Sequence, residues 1–352
     1  MTDNLPMAEI DTLLEEMLAQ GGSDLHLSVG APPKTRVRGV IQAMDYEPFS
    51  AELLTEILRE FVPPRRWRRF EERGDVDIAY EIPGRARFRT NLFRNHWGPA
   101  TVLRQIPSSI QSIDELGLPQ VLKQIALRPN GLILVTGPTG SGKSTTLAAT
   151  LNHINEHRRR EIITLEDPVE FIHDDKQSVF LHREVTEHTR SYAAGLRSAM
   201  RADPDVILIG EMRDCETMRL ALGCAAMGML VFATLHTNGA AKSIDRIIDA
   251  FPSEEQEQIR ILLAESLRGI VSQILCSTTD EGQVPAFEIL TYHQSLPHCI
   301  RQNALSSIRN LIDQNRDAGM ISLDASLRGL LEEGVIDRHE AYMKASDKNA
   351  FR

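Results

Sequence analysis

The chain has 352 residues, 42% of them hydrophobic and 25% charged, and a formal net charge of −10. That is the make-up of an ordinary soluble globular protein with room for two or three domains, and its acidic balance argues against sequence-independent binding to nucleic acid. The four cysteines form no C-x-x-C pair, which argues against a disulfide framework or zinc site and fits a reducing cytoplasm.

No apolar run approaches bilayer-spanning length, so no transmembrane segment is expected. Met1-Thr-Asp-Asn lacks the basic and apolar regions of a signal peptide. Along the chain, Ile10, Leu13, Leu14, Met17 and Leu18 recur at helical spacing over Ala8 to Gln20, and Gly21-Gly22 ends that helix. Leu25 to Ser28, Thr35 to Arg38, Val76 to Ile82, Arg85 to Phe93 and Ala100 to Ile106 alternate like strands. Helices are expected over about Ala51 to Phe61 and around Arg65 to Glu71. The run Arg65-Arg66-Trp67-Arg68-Arg69 is followed by Glu71, Glu72, Asp75 and Asp77, which reads as a solvated helix face. These elements describe a small α+β domain over residues 1–106, with a linker over 107–118.

From there the texture changes. Leu132 to Thr136, Ile162 to Glu166, Val206 to Gly210 and Leu230 to Leu235 are apolar throughout, as strands buried on both faces are. Alternating with helices, they predict a nucleotide-binding α/β core over residues 119–290. Beyond Asp249 the pattern reads as mostly helical, over Glu254 to Leu275, Asp324 to Glu333 and Arg338 to Ala345, with residues 291–352 as a C-terminal helical region.

The chemistry centres on Gly137-Pro138-Thr139-Gly140-Ser141-Gly142-Lys143-Ser144, which matches the phosphate-loop pattern G-x-x-x-x-G-K-S/T between a buried strand and a helix beginning near Thr145. A glycine-rich turn there aims backbone amides at one phosphate chain. Lys143 would neutralise the β- and γ-phosphates of ATP, and Ser144 would hold Mg²⁺. Glu166, Asp167 and Glu170 sit at the end of the next apolar strand, where they read as partners of a hydrated Mg²⁺ or as a solvated acidic turn. Another apolar strand leads into Gly210 and Glu211. Many such ATPases place the Mg²⁺-binding Asp at the position of Gly210, so Glu211 is cast as the residue that polarises the attacking water, leaving the metal to Ser144, the nucleotide and Glu170. His236, in Thr234-Leu-His236-Thr237, is placed to report the γ-phosphate; a satisfied polar residue is the competing reading. Arg87, Arg89, Arg94 and Arg104, with Arg201 and Arg213, are candidates to stabilise charge on the transferred phosphoryl group, against the alternative of surface ion pairs.

These motifs in this order resemble the type II/IV secretion ATPase superfamily, whose particular marks are T-L-E-D-P-V-E over Thr164 to Glu170 and T-L-H-T over Thr234 to Thr237. Within it the chain is similar to the retraction ATPases of type IV pili, from about Ala8 to Gly334, most specifically over Gly22 to Ser28, Gly137 to Ala149, Arg201 to Asp214 and Gly239 to Ile247. The resemblance implies an N-terminal PAS-like domain, a RecA-like core, a homo-hexameric ring and ATP hydrolysis coupled to pilus retraction and twitching motility. It implies an inner-membrane platform protein as partner, with a paralogous pilus ATPase as a further one, and a cytoplasmic protein recruited to the inner-membrane face of the pilus machine. It casts Lys143 and Ser144 as the phosphate-loop pair, Glu170 as the acidic-box glutamate, Glu211 as the catalytic glutamate and His236 as the sensor, and implies that Arg89 and Arg104 serve the nucleotide. The four-cysteine zinc element and the N-terminal extension of extension and secretion ATPases are missing, which favours the retraction branch. One departure concerns the helix that reads A-I-R-N-L-I-R-E in that branch. Here the aligned segment is Ser295-Leu-Pro-His-Cys-Ile-Arg-Gln302, which keeps Ile300 and Arg301, while a similar Ser307 to Asp313 lies later. An accessory paralogue acting with a main motor is therefore the alternative expectation, and a secretion or DNA-uptake ATPase a further one.

Overall fold

The computed structural model describes residues 9–106, 109–280 and 282–352. Ala8, expected to open the first helix, and the expected linker residues Pro107 and Ser108 lie outside the described residues. The described chain forms two compact units, one running up to Ser109 and including Asp167–Phe171, the other comprising Ile110–Glu166 and Ile172–Arg352.

The first unit contains α1 (Glu9–Ala19), β1 (Gly22–Ser28), β2 (Lys34–Val37), β3 (Val40–Ala43), α2 (Ala51–Phe61), α3 (Pro64–Arg73), β4 (Asp75–Ile82), β5 (Ala86–Asn95) and β6 (Gly98–Ile106). Its strands form an antiparallel sheet in the order β3-β2-β1-β6-β5-β4. One face of the sheet supplies Leu25, Leu27, Phe88, Leu92 and Leu103 to a core closed by the apolar stripes of α1, α2 and Phe70. Local chemistry sets the helix ends. The Ser50 hydroxyl accepts from the Leu53 amide at the start of α2, and Gly74, at φ 85°, ends α3 in the left-handed region. β3 is an unexpected strand; its residues are all exposed, so no buried face writes an alternation into the sequence.

Arg66 is a correction. Expected on a solvated face, it is only 1% exposed, and its guanidinium lies 3.6 Å from the Asp167 carboxylate. Helical spacing puts it on the same inward face as Phe70, and a charge carried there needs an opposite partner. Arg65 and Arg68 carry the exposed face.

The second unit contains α4 (Val121–Ala126), β7 (Gly131–Thr136), α5 (Lys143–His157), β8 (Glu161–Glu166), β9 (Val179–Glu184), α6 (Tyr192–Ala199), β10 (Val206–Ile209), α7 (Cys215–Ala226) and β11 (Leu230–Leu235). After these come α8 (Ala240–Asp249), α9 (Gln256–Ser266), β12 (Leu267–Ser277), β13 (Gln283–Thr291), α10 (Leu296–Arg301), α11 (Ser307–Gln314), α12 (Leu323–Glu332) and α13 (Arg338–Lys344). The sheet order is β13-β12-β7-β11-β10-β8-β9. Every neighbouring pair is parallel except β12 with β13. One face packs on α6, α7, α8 and α9, the other on α4 and α5, so β7, β10 and β11 are buried along their whole length.

The expected helix over Glu254 to Leu275 is overturned. The helix stops at Ser266, and the following eleven residues are β12. Leu267 to Ser272 pair along β7, with Ile270 opposite Leu134, and β13 pairs along the other edge of the strand. Sheet contacts with residues far away in sequence override the local helical pattern. Among the described residues no helix is long and apolar enough to cross a membrane.

Phe232 sits fully buried in β11, between Leu208 and Ile133 on the neighbouring strands. Phe232→Ala should destabilise the second unit by about 3–5 kcal/mol, measured as an earlier denaturant midpoint with an unchanged slope.

Candidate active site

Residues Gly137 to Gly142 join β7 to α5, whose first residue is Lys143. Gly137, Gly140 and Gly142 have φ of 144°, 77° and 85°, a region costly for any side chain. Space is also closed: a Cβ on Gly137 would lie 2.1 Å from the Gln273 carbonyl oxygen. Pro138, Thr139, Gly140, Ser144 and Thr145 are exposed, while Ser141 is buried with its hydroxyl unpartnered. The start of α5 carries no side-chain cap, so its first amides suit an anion. The Lys143 ammonium donates to the carbonyls of Gly137 and Pro138, each at 2.9 Å, and so lies back over the loop.

The ends of β10 and β11 bring the next residues together. Glu211 Oε1 lies 3.2 Å from His236 Nε2, and Glu211 Oε2 accepts from Arg213 Nη2 at 2.7 Å. The Gly137 amide donates to the Leu235 carbonyl at 3.2 Å, tying the start of the phosphate loop to the residue before His236. Burial alone would push the Glu211 carboxyl up. The hydrogen bond from Arg213 and the charges of Arg213, His236 and Lys143 outweigh burial and hold the group below the usual carboxylate range. Gly210 has a steric reason: a Cβ there would meet the Glu166 Cα, the Leu165 carbonyl and the Tyr192 hydroxyl, each at 3.2 Å. An Asp at that position would press on the backbone of β8; Glu211, one residue later, carries the carboxylate.

Glu170, Arg89 and Arg104 belong to the first unit. Arg89 Nη1 lies 3.2 Å from Glu170 Oε1, and Arg87 donates to the carbonyls of Val169 and Glu170. Sheet register sets Arg89 opposite Arg104, Arg104 opposite Asp24, and Asp24 opposite Arg36. Arg104 Nε donates to the buried Asp24 carboxylate at 2.7 Å, although the Arg104 side chain is 69% exposed. Both arginines thus hold carboxylates of their own unit. Arg94 lies over the Phe70 ring, and Arg201 donates to the Arg197 carbonyl.

For a metal, the exposed Ser144 hydroxyl together with the phosphate oxygens of a bound nucleotide would make an all-oxygen donor set of the kind Mg²⁺ takes while keeping several waters. The Glu170 carboxylate is engaged by Arg89. Sequence reasoning does not reach Gln273, which is buried on β12 against the phosphate loop; its only trace is a lone amide in an apolar run.

A phosphate loop after the first strand of a parallel sheet, with a carboxylate and a histidine on neighbouring strand ends, defines a P-loop nucleotide-binding protein. Residues 3–305 match the model of the type II/IV secretion system protein family, and the chain belongs to that family. It is 43% identical over 343 residues to the type IV pilus retractation ATPase PilT of Pseudomonas aeruginosa, covering 97% of this chain and 100% of that protein. Against the type IV pilus ATPase PilU of the same organism it is 35% identical over 345 residues, covering 98% and 90%. The crystal structure of the pilus retraction motor PilT with bound ADP superposes with a TM-score of 0.89 at 39% identity, covering 98% of each chain.

Arg213→Ala removes the largest of the influences that lower the Glu211 carboxyl, so the Glu211 pKa should rise. The acid limb of the pH profile of kcat/KM for ATP should then move to higher pH; an unmoved limb would separate Arg213 from the titrating group.

Proposed function

We propose that this chain is the ATP-hydrolysing motor of type IV pilus retraction. The observation that carries the reading is the Glu211–His236–Arg213 cluster on strand ends next to a complete phosphate loop, in a chain similar to a pilus retraction ATPase over nearly its whole length. In this reading Lys143 and the loop amides hold the β- and γ-phosphates. Glu211, kept ionised, orients and polarises the attacking water, and His236, held by Glu211, reports the γ-phosphate. Ser144 would hold Mg²⁺, which supplies charge neutralisation at the phosphates when bound. Work on a pilus calls for the homo-hexameric ring and inner-membrane platform partner that the resemblance implies, and both are part of the proposal.

Purified Glu211→Gln should keep its affinity for ATP while kcat falls about 10²–10⁴-fold, and Lys143→Ala should lose ATP binding. Near-normal turnover of Glu211→Gln would remove Glu211 from the role. In cells lacking the gene, excess surface pili that fail to retract should be rescued by the native chain and not by Glu211→Gln; normal retraction in the null strain would overturn the motor reading.

The second reading, an accessory ring acting with a main motor, rests on α10. It spans six residues with Pro297 near its start and buries Leu296, Cys299 and Ile300, so the segment keeps an inward face while its remaining residues depart from the retraction pattern. The higher identity to PilT than to PilU favours the first reading. Under the second, Lys143→Ala protein mixed with a paralogous motor should still change that motor's ATPase rate; no change in the mixture would dismiss it.

A further inference from the structure

β12 outruns its neighbour. Its pairing with β7 ends at Ser272 opposite Thr136, the last residue before the phosphate loop, yet the strand continues to Ser277. Successive strand residues point to opposite faces, and here both faces meet functional segments.

Gln273, 3% exposed, turns toward α5. Its Nε2 donates to the Ser141 carbonyl at 2.5 Å, and its Oε1 accepts from the Thr146 hydroxyl at 2.8 Å. One amide therefore ties the middle of the phosphate loop to the first turn of the following helix. In a trans peptide the carbonyl and the next N–H point in opposite directions. Holding the Ser141 carbonyl against Gln273 thus aims the Gly142 amide away from it.

Ser272, 5% exposed, turns the other way. Its hydroxyl accepts from the Gly239 amide at 2.8 Å. Beside it on the ladder, Glu288 of β13 accepts from the Ala240 amide at 2.7 Å. The two side chains hold the start of α8, the helix entered directly from the His236 segment.

We propose that Ser272 and Gln273 are positioning residues with separate duties, Gln273 presenting the phosphate loop for nucleotide binding and Ser272 fixing the His236 segment for turnover. The inference rests on the reading that this loop binds ATP and that His236 serves its hydrolysis. A single strand then sets binding and chemistry through adjacent residues, each reaching a different loop.

The test compares native chain, Gln273→Met and Ser272→Ala for ADP affinity, KM and kcat for ATP, and melting temperature without nucleotide. Losing one buried hydrogen-bonding partner corresponds to about a tenfold change in an equilibrium or rate. Gln273→Met should weaken ADP binding and raise KM about tenfold, with kcat at saturation close to native. Ser272→Ala should lower kcat about tenfold, with ADP affinity close to native. Gln273→Glu keeps the length and the acceptor for Thr146 but loses the donor to Ser141; it should weaken ADP binding at least as much, and serves where the Met variant fails to fold. Native-like binding in both Gln273 variants, or binding and turnover falling together in both the Gln273 and Ser272 variants as general structural support would give, overturns the inference alone. A native chain that neither binds nor hydrolyses ATP overturns the proposed function with it.

Discussion

A parallel sheet buried on both faces leaves polar chemistry only the ends of its strands. Along β7, β10 and β11 no side chain is exposed, and helices cover both sides. The phosphate loop, Glu211 and His236 all follow directly after strand ends. Because adjacent parallel strands end at similar heights, groups distant in sequence arrive within hydrogen-bond reach without any loop having to fold over another. The Glu211–His236 contact, between residues just past the ends of adjoining strands, is a product of that register.

Close approach is the second constraint. A Cβ at Gly137 would run into the carbonyl of Gln273, and one at Gly210 would press on β8 and Tyr192. Gly137 excludes a side chain on steric and conformational grounds, and at Gly210 a side chain would be tight. The nearest carboxylate stands one residue later, at Glu211, where Arg213 and His236 offset the cost of its partial burial.

The first unit solves a different electrostatic problem. Arg66, Arg87 and Arg89 engage Asp167, the carbonyls of Val169 and Glu170, and the Glu170 carboxylate. These five residues from Asp167 to Phe171 lie in sequence between β8 and β9 yet belong to the first unit. The cross-strand row of Arg89, Arg104, Asp24 and Arg36 shows how antiparallel register concentrates charge. Asp24, buried beside Arg104, keeps its carboxyl below the usual range; burial opposes this, and the Ser23 and Arg104 hydrogen bonds overcome it.

The sequence by itself determined the phosphate-loop pattern, the buried strands β7, β8, β10 and β11, and the place of Glu211 and His236 just past strand ends, because glycine spacing and unbroken apolar runs record local backbone and burial requirements directly. It was silent or misleading wherever partners lie far apart in the chain. β12 read as helix because its aliphatic run has no intrinsic period that separates strand from helix; pairing with β7 decided it. Arg66 read as solvated because helix position alone does not reveal the carboxylate of Asp167, far along the chain. Gln273 carried no motif at all. Its place beside the phosphate loop exists only because β12 runs past the end of β7, and tertiary contacts of that kind have no local signature in the chain.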